Sequence, residues 1–581
     1  MKGIENVFKT TLHSLEHLAI SANSRIQHTQ LPESVTLESV PSNQPQWADP
    51  PQAMSNTTYY DNCNGPCSRL VYPDPETGDL VYPPYNEKGD RIIDFSGAGY
   101  NEGRTDLPSL QEVPVVIALE PVQNTLDDSG RIQNALNDIA NFPELPNGFK
   151  GALQLNKGTY YLSKPIEMNA SGVVLQGDPN GGTVLVATDA MSPLDTPYLI
   201  KVSGQPNAMA RKRVPIADEY VPVGHYQVRV TQSKRFKQGD TVVVGIGFNE
   251  NWIEAIGMHD IPAKPGQNSN NGWRPGRFEH HRRLVRVEED GRLLTFNEPL
   301  TTSLAKEYGG GYVEAYQNMR VQRVGIQHLE CVFPANKSRG PEEMMKTEKK
   351  KVKDYRFTAE MFDHLLIFMD HAENCWVRGV KSVWWRNFAR LGTNTVAITL
   401  QQCYHTFPQP PPPNPKKPAF LAGQFAFEIS GQLVLIERCH AEYNFHAYSY
   451  KGRVPGPNVV YQSDAVAKNG DVGPHMKWSS GQLYDNCNIE GQILIQDRFD
   501  AGSGHGWSGA NSVVWNTIAH GGMVVQKPPL ANNFVVGCSS KKAKARRPSH
   551  PWGWEESPDV KVEPPSLYLA QLRERRRMNT V

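Results

Sequence analysis

The sequence predicts an all-β chain built as a parallel β-solenoid, with a capping helix near its start and a β lobe inserted into it. Three observations carry this. Short strand-like runs, QLVLIERCHAE, NVVYQSDAV, QLYDNCNIEG, NSVVWNTIAHG and NNFVVGCSS, recur between Gln432 and Cys538, each opening on or near Asn or Gln. Measured between Cys439, Asp464, Cys487, Asn516 and Cys538, the interval is roughly 22 to 29 residues, the length of one solenoid coil. Each run is too short to be buried alone and is buried only when stacked on its neighbours. The chain has 581 residues, with 48 Gly and 45 Pro against 39% hydrophobic residues. That turn-rich length exceeds one ordinary globular core, and growth in one dimension accommodates it.

Residues 1–91, rich in Pro, Ser and Asn at first, read as an extended arm lying on the body. Residues 92–224 hold the cap and the first coils. DDSGRIQNALNDIANFP offers cap residues, then Ile132, Ala135, Leu136 and Ile139 at helical spacing, and stops at Pro143. Such a helix can plug the open end of a solenoid. Residues 225–320 interrupt the coils with β-type runs around a basic loop and read as a lobe leaning over the body. Coils resume over 321–540, broken by a charged insertion, SRGPEEMMKTEKKKVKDYRF, and a polyproline run from Pro408. Residues 541–581 form a basic tail and a short helix.

Lys plus Arg equals Asp plus Glu at 60 each, so no overall field selects nucleic acid or an anionic membrane. No apolar run reaches the roughly 20 residues that span a bilayer. The first 21 residues lack the apolar core of a signal peptide. Of eight cysteines, Cys63 and Cys67 (CNGPC) suit a small loop disulfide, whereas Cys331, Cys375, Cys403, Cys439, Cys487 and Cys538 fall at coil-like intervals and read as inward-facing core thiols. Sequons at Asn56, Asn169 and Asn336 become glycan acceptors if the chain is secreted.

A helix opening DDSGRIQNAL, followed by GALQLNKGTYYLSKPIEM and then VVLQGD, resembles the start of the pectate-lyase-like superfamily of right-handed parallel β-helices, and the later coils fit it over roughly residues 92–540. The resemblance implies carbohydrate-active chemistry, lyase or hydrolase, though the superfamily also holds epimerases and viral tailspikes. It further implies a secreted protein, monomeric or weakly oligomeric, acting on an acidic polysaccharide, with Ca²⁺ as a possible bridge to uronate carboxylates.

Stacked coils bring equivalent residues together. Aligning NFHAYSY, PHMKWSS, ILIQDRF and MVVQKPP places His446 beside His475, Tyr448 beside Lys477, Gln496 and Gln526, and Ser479 beside Arg498. Uronate β-elimination needs a cation on the carboxylate, a base for the C5 proton, and an acid for the leaving oxygen. His475 or Lys477 suits the base, Arg498 the carboxylate clamp, and His446, Tyr448 or His505 the acid or positioning group. Trp478, Asp497, Gln496, Trp507 and Asn511 complete the expected sugar contacts, Trp507 as a stacking platform in the glycine-rich GSGHGWSGAN. A hydrolase would instead pair aspartates, Asp464 with Asp485 or with the nearby Asp471 and Asp497. A non-catalytic glycan binder or tailspike-like protein is the third reading. MDHAENC, with Asp370, His371 and Glu373, reads equally as a strand, whose alternate residues face opposite ways, or as a turn, and no dense metal-ligand cluster is visible.

Overall fold

The computed structural model describes residues 66–578 except 124–126, 189–197, 210–211, 233, 264–270, 334–364, 408–422, 467 and 469. The arm up to residue 65, Cys63, Asn56, Asn336, the charged insertion and the polyproline run lie outside the described residues.

The chain winds as a right-handed parallel β-helix. One ladder runs through Gly151–Leu155, Val173–Gln176, Gly325–Gln327, Ala372–Arg378, Val396–Gln401, Leu435–Glu437, Pro455–Tyr461, Ser479–Asp485, Val513–Trp515, Phe534–Val536 and Trp554–Glu556, every pair parallel. A second sheet holds two further strands per coil, a short one such as His440–Glu442 and a longer one such as Asn444–Tyr450. Each coil therefore has three faces around an apolar core.

The repeat heard in the sequence is the corner after the first ladder. Arg438, Gln462, Asn486, Asn516 and Gly537 all take a left-handed backbone, with φ of 50, 44, 54, 46 and 67°. Each donates its N–H to the residue before the corner on the next coil: Arg438 to Tyr461, Gln462 to Asp485, Asn486 to Trp515, Asn516 to Val536 and Gly537 to Glu556, at 2.9–3.0 Å. Asn and Gly accept this conformation at the least cost. The next residue in each corner turns inward, giving the buried column Cys439, Ser463, Cys487, Thr517 and Cys538. Ser463 Oγ accepts from the Cys439 N–H and Thr517 Oγ1 from the Cys487 N–H, both at 3.0 Å. The thiols of Cys439, Cys487 and Cys538 each lie 3.4 Å from a carbonyl one coil back. The six coil cysteines are buried and free, as the spacing predicts, and Cys67 is disulfide-bonded.

Helix α1, Ser129–Ala140, buries Ile132, Ala135, Leu136 and Ile139 against the first coils. Asp127 fixes its start by accepting from the Ser129 N–H and from the Ser129 and Ser163 hydroxyls. Although burial opposes its charge, those bonds hold its carboxyl down at about 2. The lobe is an antiparallel sheet whose long strands are Thr241–Phe248, Gly276–Glu288 and Gly311–Gln317. Its core continues into the β-helix through Trp478, Trp507 and Ala510.

Outward residues of the first ladder, Leu435, Val459, Leu483, Val513 and Phe534, are covered by Leu70, Val71, Ile93 and Phe95 and by helix α2, Leu567–Met578. Asp485, fully buried beneath that helix, accepts from the Ser566 hydroxyl and the Tyr568 N–H, and burial pushes its pKa up to about 7. Arg575 forms a two-pronged ion pair with buried Glu298 of the lobe at 2.6 and 2.7 Å. Among the described residues, the face left open is that of the second sheet.

Candidate functional site

His446, His475, His505 and Arg498 meet where the longer strands of the second sheet turn back toward the first ladder. His446 lies in Asn444–Tyr450, His475 just after Asp471–Pro474, Arg498 just after Gln492–Ile495, and His505 on the loop leading to Gly509–Ala510. The His446 and His475 rings meet edge to face with centroids 4.5 Å apart, and His475 and His505 lie at 4.8 Å. Phe425, the ladder partner of His446, stacks on it at 5.0 Å and meets the His475 ring edge-on at 5.5 Å. His446 and His505 form the floor, 3% and 8% exposed, and His475 and Arg498 form the rim.

Neighbours set the protons. Asp471 is also the ladder partner of His446, and its Oδ1 lies 2.5 Å from His446 Nδ1. A carboxylate only accepts, so Nδ1 carries a proton, and in the neutral form of the ring Nε2 holds the lone pair. Arg498 Nη1 donates to the His475 carbonyl at 2.8 Å and lies 2.9 Å from His475 Nδ1. A guanidinium only donates, so that nitrogen accepts and the His475 proton sits on Nε2. Burial, and then the nearby His446, Arg498, His505 and Lys451, lowers the His475 pKa, which keeps the ring neutral. Lys451 pairs with Glu428 at 2.9 Å and sits over the Phe425 ring at 4.3 Å. Side by side, then, stand one imidazole with a free basic nitrogen and one with a free N–H, beside a guanidinium.

The glycine-rich loop serves this geometry. Gly502 has φ 56°, and a Cβ there would overlap the His505 ring. Gly506, also at φ 56°, lets the backbone close on Met258 and Trp273 of the lobe. Only glycine takes both constraints at once.

Several expected contacts fall elsewhere. The ladder pairs His446 with Asp471 and Ser479 with Gly509, not with His475 and Arg498. A register irregularity between His446 and Ser449 breaks simple alternation. Tyr448 accordingly points into the core, its hydroxyl donating to the Cys439 and Asp464 carbonyls at 2.9 and 2.7 Å. Lys477 turns the corner at φ 50°, and burial together with Arg453 lowers its pKa. Trp478 is 2% exposed and packs edge-on against Trp252 of the lobe at 4.8 Å. Trp507 is likewise buried, its Nε1 donating to the Ile256 carbonyl at 3.0 Å. Asp497 binds His550 Nε2 at 3.0 Å and the Phe499 N–H at 2.7 Å. Gln496 accepts from the Arg546 N–H, and Asn511 donates to the Thr301 carbonyl. These five hold the lobe, tail and body together, a role that sequence cannot separate from sugar contact. Asp471, Phe425 and Lys451 were missed as partners of the cluster, although Asp471 lies 25 residues after His446, one coil away.

Asp464 and Asp485 do not share a face. Asp464 is on the second sheet beside His440, and Asp485 is on the first under α2. His440 uses both ring nitrogens, 2.5 Å from Asp464 and 3.2 Å from Glu442. Burial opposes its charge, yet those two bonds outweigh it and raise the pKa to about 9. This histidine is a fixed cation with no nitrogen to spare, unlike His446. Among the described residues no group of three or more His, Cys, Asp or Glu is placed to hold a metal ion. Asp464, Asp471, Asp485 and Asp497 each bind a different protein partner. In MDHAENC, Asp370 accepts from the Asn394 N–H and Glu373 from Asn318, a turn rather than a site. No helix among the described residues is long and apolar enough to cross a membrane.

No family model and no curated protein matches the chain. Among solved structures it is similar to the tailspike protein gp49 from Pseudomonas phage LKA1, at 11% identity and TM-score 0.29 over 71% of this chain and 63% of that one, under two thirds of its length. It is also similar to endo-xylogalacturonan hydrolase from Aspergillus tubingensis, at 10% identity and TM-score 0.37 over 77% and 93% of the two chains. A polygalacturonase from Erwinia carotovora ssp. carotovora gives 10% identity and TM-score 0.35 over 80% and 96%. Likeness at this level says nothing of activity. By the register of its own strands, the chain is a parallel β-helix.

Proposed function

We propose that the protein cleaves an acidic polysaccharide by β-elimination at the His446–His475–Arg498 cluster. The observation that carries this reading is the opposite protonation of two touching imidazoles, fixed by Asp471 on one and Arg498 on the other. In the reaction the free N–H groups of Arg498 neutralise the uronate carboxylate and so acidify the C5 proton. His446 Nε2 removes that proton. The C4–O bond breaks as the C4–C5 double bond forms, and the leaving oxygen, held by a hydrogen bond from the Nε2–H of His475, takes its proton from water. A guanidinium at the rim suits an anionic substrate better than a neutral one. The disulfide at Cys67 supports a secreted protein, since such bonds persist in oxidising compartments.

A panel of acidic polysaccharides followed in the ultraviolet tests the reading. A lyase leaves a 4,5-unsaturated uronate that absorbs. Reducing ends without that absorbance would make the protein a hydrolase, and binding without either product would make it a glycan-binding protein.

A further inference from the structure

Arg498 is the cation at one end of the imidazole pair, and Lys451 stands at the other. In coil order Phe425 comes first, then His446, then Asp471 and His475, then Arg498. Arg498 reaches back one coil, its Nη1 donating to the His475 carbonyl at 2.8 Å. Lys451 reaches back as well, to Glu428 Oε1 at 2.9 Å and over the Phe425 ring at 4.3 Å. That ring touches both His446 and His475. The two cationic tips therefore lie two strand spacings apart, about 10 Å along the axis, with the imidazoles between them.

Lys451 is only half compensated where it stands. Buried Glu428 is shared, its Oε1 taking Lys451 and its Oε2 taking Arg390 at 3.1 Å. Arg390 is the ladder partner of Glu428, one coil further back, and its side chain is 48% exposed. Among the described residues no other carboxylate pairs with Lys451 or Arg390. One carboxylate cannot balance two cations, so this end of the cluster keeps an excess positive charge. The Lys451 side chain is 25% exposed, and a cation partly withdrawn from water attracts an anion more strongly than one in bulk solvent.

We propose that Lys451, backed by Arg390, clamps a second carboxylate of the substrate, two sugar units from the uronate held by Arg498. The inference rests on the reading of an acidic polysaccharide and narrows it. The substrate is then a chain whose carboxylates recur two units apart, lying along the helix axis from Arg498 toward the earlier coils. Two units of an extended sugar chain cover a distance of that order. A chain with a single carboxylate engages Arg498 alone.

Calorimetric titration of the full chain carrying His446→Ala, which removes the proposed base and so spares the ligand, tests this. The probes are trisaccharides of galacturonate, of mannuronate, and of glucuronate alternating with N-acetylglucosamine and carrying a uronate at each end. Each is compared with the disaccharide of its series, which holds no two carboxylates that far apart. At least one trisaccharide should bind roughly tenfold tighter than its disaccharide, and added salt should shrink that step. Lys451→Met keeps a stem over Phe425 and leaves Glu428 its bond to Arg390, so the far-ultraviolet spectrum should not change, while the step falls below about twofold. Lys451→Arg should restore it. With His446 in place, Lys451→Met should raise KM for the trisaccharide and leave kcat nearly unchanged. An equal step in Lys451→Met, or no step in any series, failure to bind included, would overturn the proposal. A step that depends on Lys451, in a protein that yields no unsaturated product, supports the second clamp and sinks the lyase reading instead.

Discussion

His446 and His475 are alike in sequence and touch in space, yet their neighbours give their protons opposite places. Asp471 leaves His446 with a basic Nε2, and Arg498 leaves His475 with a donor. His446→Ala should therefore lower kcat by roughly 10²- to 10⁴-fold, the range for a lost general base. Asp471→Asn should lose less, because an amide can still hold the ring but no longer selects the tautomer. Steady-state kinetics with unchanged circular dichroism checks both. His440 gives a pH prediction of a different kind. Its folded pKa of about 9 stands above the ordinary histidine value of about 6.5. Its contribution to stability is therefore full below about 6.5 and is lost as pH rises through about 9. Tm should fall across that window, and in His440→Gln the fall should be shallower. The sequence named His446, His475 and Arg498 because they recur about one coil apart, and His505 because it stands in the glycine-rich GSGHGWSGAN. It could not name their roles, which depend on a 2.5 Å contact with Asp471 that only the register supplies.

Corners and loops decide what the strands present. Stacked left-handed residues at Arg438, Gln462, Asn486, Asn516 and Gly537 hold the coils in register, which is why the interval between inward cysteines was readable from sequence. Tyr448 was misread for the same kind of reason. Period-two alternation is a sound rule along a regular strand, and one irregularity after His446 turned the following side chains. The buried Trp478 and Trp507 show a second limit, since an aromatic beside glycines reads the same whether it meets sugar or the lobe. Gly502→Ala tests the loop. Its backbone at φ 56° and ψ −120° is all but closed to other residues, and the added methyl would meet the His505 ring. Strain of about 1–3 kcal/mol confined to a surface loop should leave the far-ultraviolet spectrum intact while product formation falls at least about tenfold through the displaced ring.

At the scale of the molecule, capping and covering were legible in outline. The amphipathic run at 129–140 and the terminal run at 567–578 both form helices, but only the folded chain shows that the second covers the first ladder over several coils. Arg575→Ala should leave Glu298 buried without its cation and cost about 3–5 kcal/mol. Denaturant unfolding should show the loss as larger at pH 8 than at pH 5, where the carboxyl can take up a proton. Net charge is zero, so recognition of an acidic polymer must come from the local cations at Arg498 and Lys451, and KM should rise with salt. The most direct test compares wild type and His446→Ala on one acidic polysaccharide, reading ultraviolet absorbance of the unsaturated product. Absorbance that grows with wild type and stays flat with the variant is the expected result. Equal absorbance from both, or reducing ends released with no absorbance, would contradict the account.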